Sequence, residues 1–239
     1  MSVTASALPA RIYTIARDLH DHFFKRAKAE GYRSRAVFKL TEIDDRRKLL
    51  RPGMRVLDVG CAPGSWLQVI AERVGKSGFV VGVDLKEVDE RGLPPNVRLV
   101  QGDLTTLSRE ELLGALSERW PEGPPFDAIL SDMAPDTTGD PFGDSHRSIR
   151  LCNALLDRCA DWLRTGGTLV MKAFEGEAYP ELLQRMRGEF DEARGFKPKA
   201  SRGESVEMFV IGQGYRRAAI GDDADSGVAP PRPKPRSGW

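Results

Sequence analysis

Three features of the 239-residue sequence predict an α/β fold built on a doubly wound, mostly parallel sheet. Short β-branched apolar runs alternate with amphipathic stretches at helical spacing, a pattern that places helices on both faces of a sheet. A polar residue, usually an acid, stands where each run ends, and glycine or Pro-Gly punctuation separates the elements. In such sheets ligands bind beyond the carboxyl ends of the strands. Asp58, Asp84, Asp103, Asp132 and Lys172 are therefore expected to gather at one edge.

Taken in order, residues 1–22 carry scattered apolar positions (Ile12, Tyr13, Ile15, Leu19) without a cap and read as an N-terminal extension. Between Lys25 and Arg51 there are ten bases against four acids, a local excess of six positive charges. Such a run reads first as a solvated helical face. Tyr32 and Phe38 among the bases incline it only modestly toward a polyanion surface. Within it Ser34 is placed to cap a helix with Val37, Phe38, Leu40 and Ile43 inward.

Pro52-Gly53 then introduces a first strand over 54–59, and the turn Gly60-Cys61-Ala62-Pro63-Gly64 leads into a helix from Ser65 to about Gly75. Strands follow over 79–83 and 97–100, closed by Asp84 and by Gly102-Asp103. A capping box, Ser108 with Glu111, opens the next helix. A fourth strand over 126–130 ends in Ser131-Asp132-Met133-Ala134-Pro135. A helix over 149–163 leads through Gly166-Gly167 to a fifth strand over 168–171, ending in Lys172. Residues 194–211 accommodate two further strands. The residues after Tyr215, acidic and then Pro-Pro-Arg-Pro-Lys-Pro-Arg, have the composition of a disordered tail.

Composition bounds the function less sharply. A net charge of +1 carries no global nucleic-acid signature, so any basic face is offset elsewhere. Three cysteines without a CxxC pair and three histidines make neither a disulfide framework nor a zinc ligand set, so no metal is expected, and a reducing, cytoplasmic setting is. No run approaches the roughly 18 apolar residues of a membrane span, and no signal peptide is expected.

The glycine turn fits neither G-x-G-x-x-G nor the G-x-x-x-x-G-K-[ST] of a P-loop. The arrangement Asp58-x-Gly60-x-x-Pro63-Gly64, with Asp84 and Asp103 after the next two strands, instead resembles the S-adenosylmethionine site of Rossmann-like methyltransferases. Adding residues 34–40 (Ser-Arg-Ala-Val-Phe-Lys-Leu), 131–135, 170–172 and 199–202 with Glu207, the stretch from Phe23 to Tyr215 is similar to the FtsJ/RlmE-type ribosomal RNA 2′-O-methyltransferases.

That resemblance implies a seven-stranded sheet with its last strand antiparallel and a methyltransferase domain over 23–215. It implies S-adenosylmethionine as cofactor, held by Asp58, Gly60, Pro63, Gly64, Trp66, Asp84, Asp103 and Asp132. It implies a catalytic set of Lys39, Asp132, Lys172 and Glu207, and RNA contacts from Lys25, Arg33, Arg35, Lys199 and Arg202. Lys199 and Arg202 read equally as surface charge, and Val206 stands where the family often has Ser. The implied partner is the A-loop uridine of 23S ribosomal RNA in the large ribosomal subunit, acted on by a monomer. A free lysine has a pKa of about 10.4. Lys172 must therefore be depressed to act as a neutral base; the alternative is a charged lysine acting on the developing alkoxide. A tRNA ribose methyltransferase, a non-catalytic RNA-binding or ribosome-assembly module and a small-molecule methyltransferase remain as other readings at this stage.

Overall fold

The computed structural model describes residues 22–114, 126–201 and 205–216. Most of the expected extension, the proline-rich tail and Arg202 lie outside the described residues. Helix α1 covers residues 22–29. It is followed by α2 (Val37–Arg47), β1 (Arg55–Val59), α3 (Ser65–Val74), β2 (Phe79–Asp84), β3 (Val97–Gln101), α4 (Arg109–Gly114), β4 (Phe126–Ser131), α5 (Pro141–Asp157), the short α6 (Cys159–Trp162), β5 (Leu163–Phe174), α7 (Tyr179–Glu189), β6 (Phe190–Phe196) and β7 (Glu207–Tyr215).

Seven strands form one sheet in the order β3-β2-β1-β4-β5-β7-β6. The first five are parallel, and β7 runs antiparallel between β5 and β6. Alternation of side chains along each strand divides the interior into two cores. Val56, Val80, Leu130, Val170, Phe209 and Ile211 meet Val37, Leu40 and Ile43 of α2 and Leu67 and Ile70 of α3 on one face. Leu57, Val81, Ile129, Leu169, Met171 and Val210 meet Ile149 and Leu155 of α5 and Leu182 and Met186 of α7 on the other. Each fully buried side chain of this size is worth about 1.5–3 kcal/mol over exposure. Among the described residues no helix is long and apolar enough to cross a membrane.

Several boundaries differ from expectation. Ser34 does not cap α2: the N-cap is Ala36, without a side-chain bond, and Ser34 Oγ accepts from the Ala36 amide while meeting Ser65 Oγ at 2.7 Å. Helix α5 begins eight residues early. Asp140 accepts the amides of Phe142 and Gly143, and Pro141 occupies the first turn, where a missing N–H costs nothing. Strand β5 is longer than its apolar run because pairing with β7 extends the ladder through Lys172, Ala173 and Phe174. Lys172 is thus inside a strand rather than after it, and Asp58 is likewise within β1. Helix α7 was not anticipated, and β6 starts at Phe190 rather than near Arg194. The Ser108–Glu111 box forms as expected, with Ser108 N and Oγ donating to Glu111 Oε2 at 2.7 and 2.8 Å.

Candidate active site

Register brings the candidate catalytic residues together. Lys172 stands opposite Phe209, and Phe174 opposite Glu207, on paired strands β5 and β7. By alternation Lys172 and Glu207 share the sheet face on which Phe209 lies. Helix α2 docks on that face and delivers Lys39, whose Nζ is 5.9 Å from the centre of the Phe209 ring. Asp132 follows directly on β4, the neighbour of β5.

These four side chains make a row of alternating charge. Lys39 Nζ donates to Glu207 Oε2 at 2.8 Å and lies 4.0 Å from Asp132 Oδ1. Lys172 Nζ lies 3.0 Å from the same Asp132 Oδ1 and donates to the Asp132 main-chain carbonyl at 2.5 Å. Lys39 and Lys172 are only 7% and 8% exposed, so each ammonium depends on its acceptors rather than on water. Burial alone would raise the Glu207 carboxyl; the adjacent Lys39 ammonium and its hydrogen bond, with Lys172 further off, outweigh it and hold the group below the usual range.

Beside this row is a cavity of about 270 Å³ at the carboxyl ends of β1 to β4. Gly60, Asp84, Leu85, Asp103, Leu104, Asp132 and Met133 line it. Asp84 is fixed by two backbone amides, Ala62 N–H to Oδ2 at 2.9 Å and Lys86 N–H to Oδ1 at 2.8 Å. Asp103 accepts the amide and hydroxyl of Thr105, both at 2.8 Å, which lower its carboxyl from the ordinary value. Asp132 lines the cavity and belongs to the charged row, so it joins the two.

Asp58 lies beneath the turn, fully buried, and neither carboxyl oxygen has a hydrogen-bond partner. Burial first, then Asp132 and Asp84, push its carboxyl well above the ordinary value. A cavity edged by Asp84, Asp103 and Asp132 suits a ligand carrying positive charge, and Leu85, Leu104 and Met133 supply apolar walls; Asp58 is not among its lining residues. S-adenosylmethionine, with its sulfonium and amino group, fits that donor set. The pH dependence of stability follows. Between the unfolded and folded pKa values the folded state holds the Asp58 proton that the unfolded state releases, so stability falls as pH rises through that window. Asp58→Asn is expected to raise the melting temperature more at pH 8 than at pH 5, read from thermal melts of the two proteins without cofactor.

The remaining expected cofactor residues divide. Gly60 has φ +76°, and a Cβ there would come within 2.5 Å of Met133 Cγ and 3.0 Å of its backbone. Gly60→Ala is expected to cost about 2 kcal/mol from the left-handed backbone and the crowding, and to push Met133 into the cavity. Urea unfolding and cofactor titration of the variant measure both effects. Gly64 has φ +103° and precedes α3, while Pro63 follows a cis peptide and is exposed. Trp66 does not line the cavity: its Nε1 donates to the Ala36 carbonyl at 2.8 Å and its ring lies 5.9 Å from that of Phe209, joining α3 to the α2 segment and β7.

The expected RNA contacts also divide. Lys25 and Lys199 are exposed, although the Lys199 amide donates to Glu42. Arg35 reaches the Ala200 carbonyl at 3.4 Å. Arg33 is turned inward, with Nη1 on the Pro63 carbonyl at 2.9 Å and Nη2 on the Arg91 carbonyl at 2.6 Å. Sequence reasoning passed over Leu85, Leu104 and Met133 in the cavity wall, though each directly follows an acid it had singled out.

Comparison with known proteins identifies relatives of the whole fold. The model of the FtsJ-like methyltransferase family matches residues 32–215. Ribosomal RNA large subunit methyltransferase E of Syntrophobacter fumaroxidans is 48% identical over 200 residues, covering 84% of this chain and 98% of the relative. The protein of that name from Nitratidesulfovibrio vulgaris is 45% identical over 207 residues, covering 84% and 96%. A crystal structure from Plasmodium falciparum, assigned as a ribosomal RNA methyltransferase, superposes with a TM-score of 0.67 at 30% identity, covering 77% of this chain and 98% of that one. The match to the family model, the two relatives and the shared fold establish that the chain belongs to the FtsJ-like methyltransferase family.

Proposed function

We propose that the protein transfers the methyl group of S-adenosylmethionine to a ribose 2′-hydroxyl of 23S ribosomal RNA, the A-loop uridine, within the large ribosomal subunit. The observation that carries this reading is the double role of Asp132, which lines the acid-rich cavity and pairs with Lys172 at 3.0 Å. A methyl-donor site and a buried lysine are thereby adjacent, as ribose methylation requires. When bound, the cofactor supplies an electrophilic methyl carbon on a sulfonium. Asp84 and Asp103 would hold its ribose and adenine, and Gly60 and Gly64 would admit its methionine part.

The chain's own contribution is positioning and charge. Lys172 Nζ, held by both the side chain and main chain of Asp132, would face the substrate oxygen and stabilise the charge that builds there as the O–CH3 bond forms and the S–CH3 bond breaks, with the hydroxyl proton passing to solvent and S-adenosylhomocysteine leaving. Lys39, fixed by Glu207, sets the second positive charge of the row and orients the ribose. Phosphates approach over the basic surface of α1 and α2, where Lys25 is exposed, together with the exposed Lys199. Family and relatives are named for methyl transfer and for large-subunit ribosomal RNA, which favours this reading over tRNA methylation or a non-catalytic assembly module. The enzyme is read as a cytoplasmic monomer.

The test is transfer of labelled methyl from S-adenosylmethionine to purified large subunits, small subunits and tRNA, each from cells lacking the gene. Label in the large subunit alone supports the reading; label in tRNA alone or in none of the three refutes it.

A further inference from the structure

We infer that Arg33 is a positioning residue for the cofactor site, clamping the glycine turn to the loop after β2, rather than a phosphate contact. The inference rests on the reading of the 60–64 turn and Asp84 as the S-adenosylmethionine site. The guanidinium bridges two carbonyls that are far apart in sequence, Pro63 O at 2.9 Å and Arg91 O at 2.6 Å. A flat, five-donor group can do this with fixed geometry, whereas an ammonium cannot. It also lies against the turn itself: a Cβ built on Gly64 would come within 2.8 Å of Arg33 Nη1.

Both ends of the bridge matter to the cavity. The Pro63 end belongs to the turn whose Ala62 amide holds Asp84. The Arg91 end belongs to the β2–β3 connection, which contains no helix and covers its flank of the sheet as a loop. Lys86 in that loop faces the 270 Å³ cavity, and residues 86–90 wall an adjoining one of about 400 Å³ that shares Asp84. The loop's shape near Arg91 is set by Asp89, whose carboxylate accepts the Arg91 amide at 3.0 Å and its guanidinium at 2.7 and 2.9 Å. The carbonyl that Arg33 grips is therefore presented by a formed turn.

Arg33 is itself anchored from the other side. Its amide donates to Gln68 Oε1 at 3.0 Å, and Gln68 Nε2 donates back to the Gly31 carbonyl at 3.1 Å. Together with Ser34–Ser65 and Trp66–Ala36, these bonds fasten residues 31–36 to the first turn of α3. The segment that leads into Lys39 and the turn that receives the cofactor are thus one mechanical unit, and Arg33 extends that unit to the loop wall.

The experiment compares Arg33→Met, which keeps the stem but loses both bonds, with Arg33→Lys, which keeps the charge. Each is assayed for KM of S-adenosylmethionine, KM of large subunits and kcat at saturation, and for amide hydrogen exchange over residues 85–92. A clamp predicts a roughly tenfold rise in cofactor KM in Arg33→Met, with kcat and the subunit KM within twofold. It also predicts faster loop exchange and little rescue of either effect by lysine. An unchanged cofactor KM, or a raised subunit KM that lysine restores, overturns the inference in favour of a phosphate contact. Should Arg33→Met not fold, Arg33→Lys alone carries the comparison. Wild-type protein that binds no S-adenosylmethionine refutes the functional reading instead, and the loop exchange still decides the clamp.

Discussion

Lys172→Ala is expected to abolish methyl transfer while retaining cofactor binding, at a cost in stability from leaving the Asp132 carboxylate without its buried ammonium. Lys172 is 8% exposed within β5, donates to the Asp132 carbonyl and pairs with its carboxylate. Removing the ammonium deletes the group proposed to stabilise the reacting oxygen and the partner of Asp132, without touching Asp84, Asp103 or the glycine turn. Loss of one electrostatic donor at a reacting oxygen lowers kcat by about 10²–10³, so single-turnover rates at saturating cofactor and subunits should fall at least that far. The cofactor dissociation constant should stay within about fivefold, the equivalent of about 1 kcal/mol, since Lys172 does not line the cavity. A truncation that preserved the rate would remove Lys172 from the chemistry.

Asp132→Asn is expected to be damaging in a different way. The carboxylate stands 3.0 Å from one buried ammonium and 4.0 Å from the other, leaving Glu207 as the remaining acid of the row. Removing one partner of a buried pair costs about 3–5 kcal/mol. The 19% exposure of the Asp132 side chain places this case toward the lower figure. Because Asp132 also lines the cavity, cofactor affinity should fall together with kcat, unlike in Lys172→Ala. Urea unfolding, cofactor titration and single-turnover rates on the same preparation separate the three losses. A variant with unchanged stability and affinity would show that the two halves of the site are not joined through this residue.

The contrast between these two residues reflects what their surroundings reveal locally. Asp132 and Asp84 end apolar runs, so period-two patterning exposes them in the sequence as carboxyl-end residues. Lys172 stands out for the same reason, although it lies inside its strand, which continues two residues further. That extension comes from β7, a partner roughly 40 residues away, and no local pattern carries it. Lys39 is the opposite case. Among ten bases in its segment nothing local marks it, because its burial is created by α2 docking over Phe209 and by Glu207 far along the chain. Only family resemblance singled it out.

Trp66 and Arg33 show the same limit from another direction. The family resemblance implied a cofactor contact and a phosphate contact for them, but their partners, the carbonyls of Ala36, Pro63 and Arg91, are backbone groups whose positions depend on the assembled fold. Helix α5 was partly legible: Asp140-Pro141 is a cap signal in plain view, masked by the polar stretch that follows it. The fold class, the strand order's carboxyl edge and the acids upon it needed only patterning. The pairing of charges across that edge needed tertiary structure.

This site is proposed to methylate ribose in large-subunit ribosomal RNA. Mass mapping of 23S ribosomal RNA from cells lacking the gene, complemented with wild-type protein or with Lys172→Ala, tests it most directly. The expected result is one missing 2′-O-methyl group, on the A-loop uridine, restored by the wild type and not by the variant. An unchanged methylation map in the deleted cells, or restoration by Lys172→Ala, would contradict it.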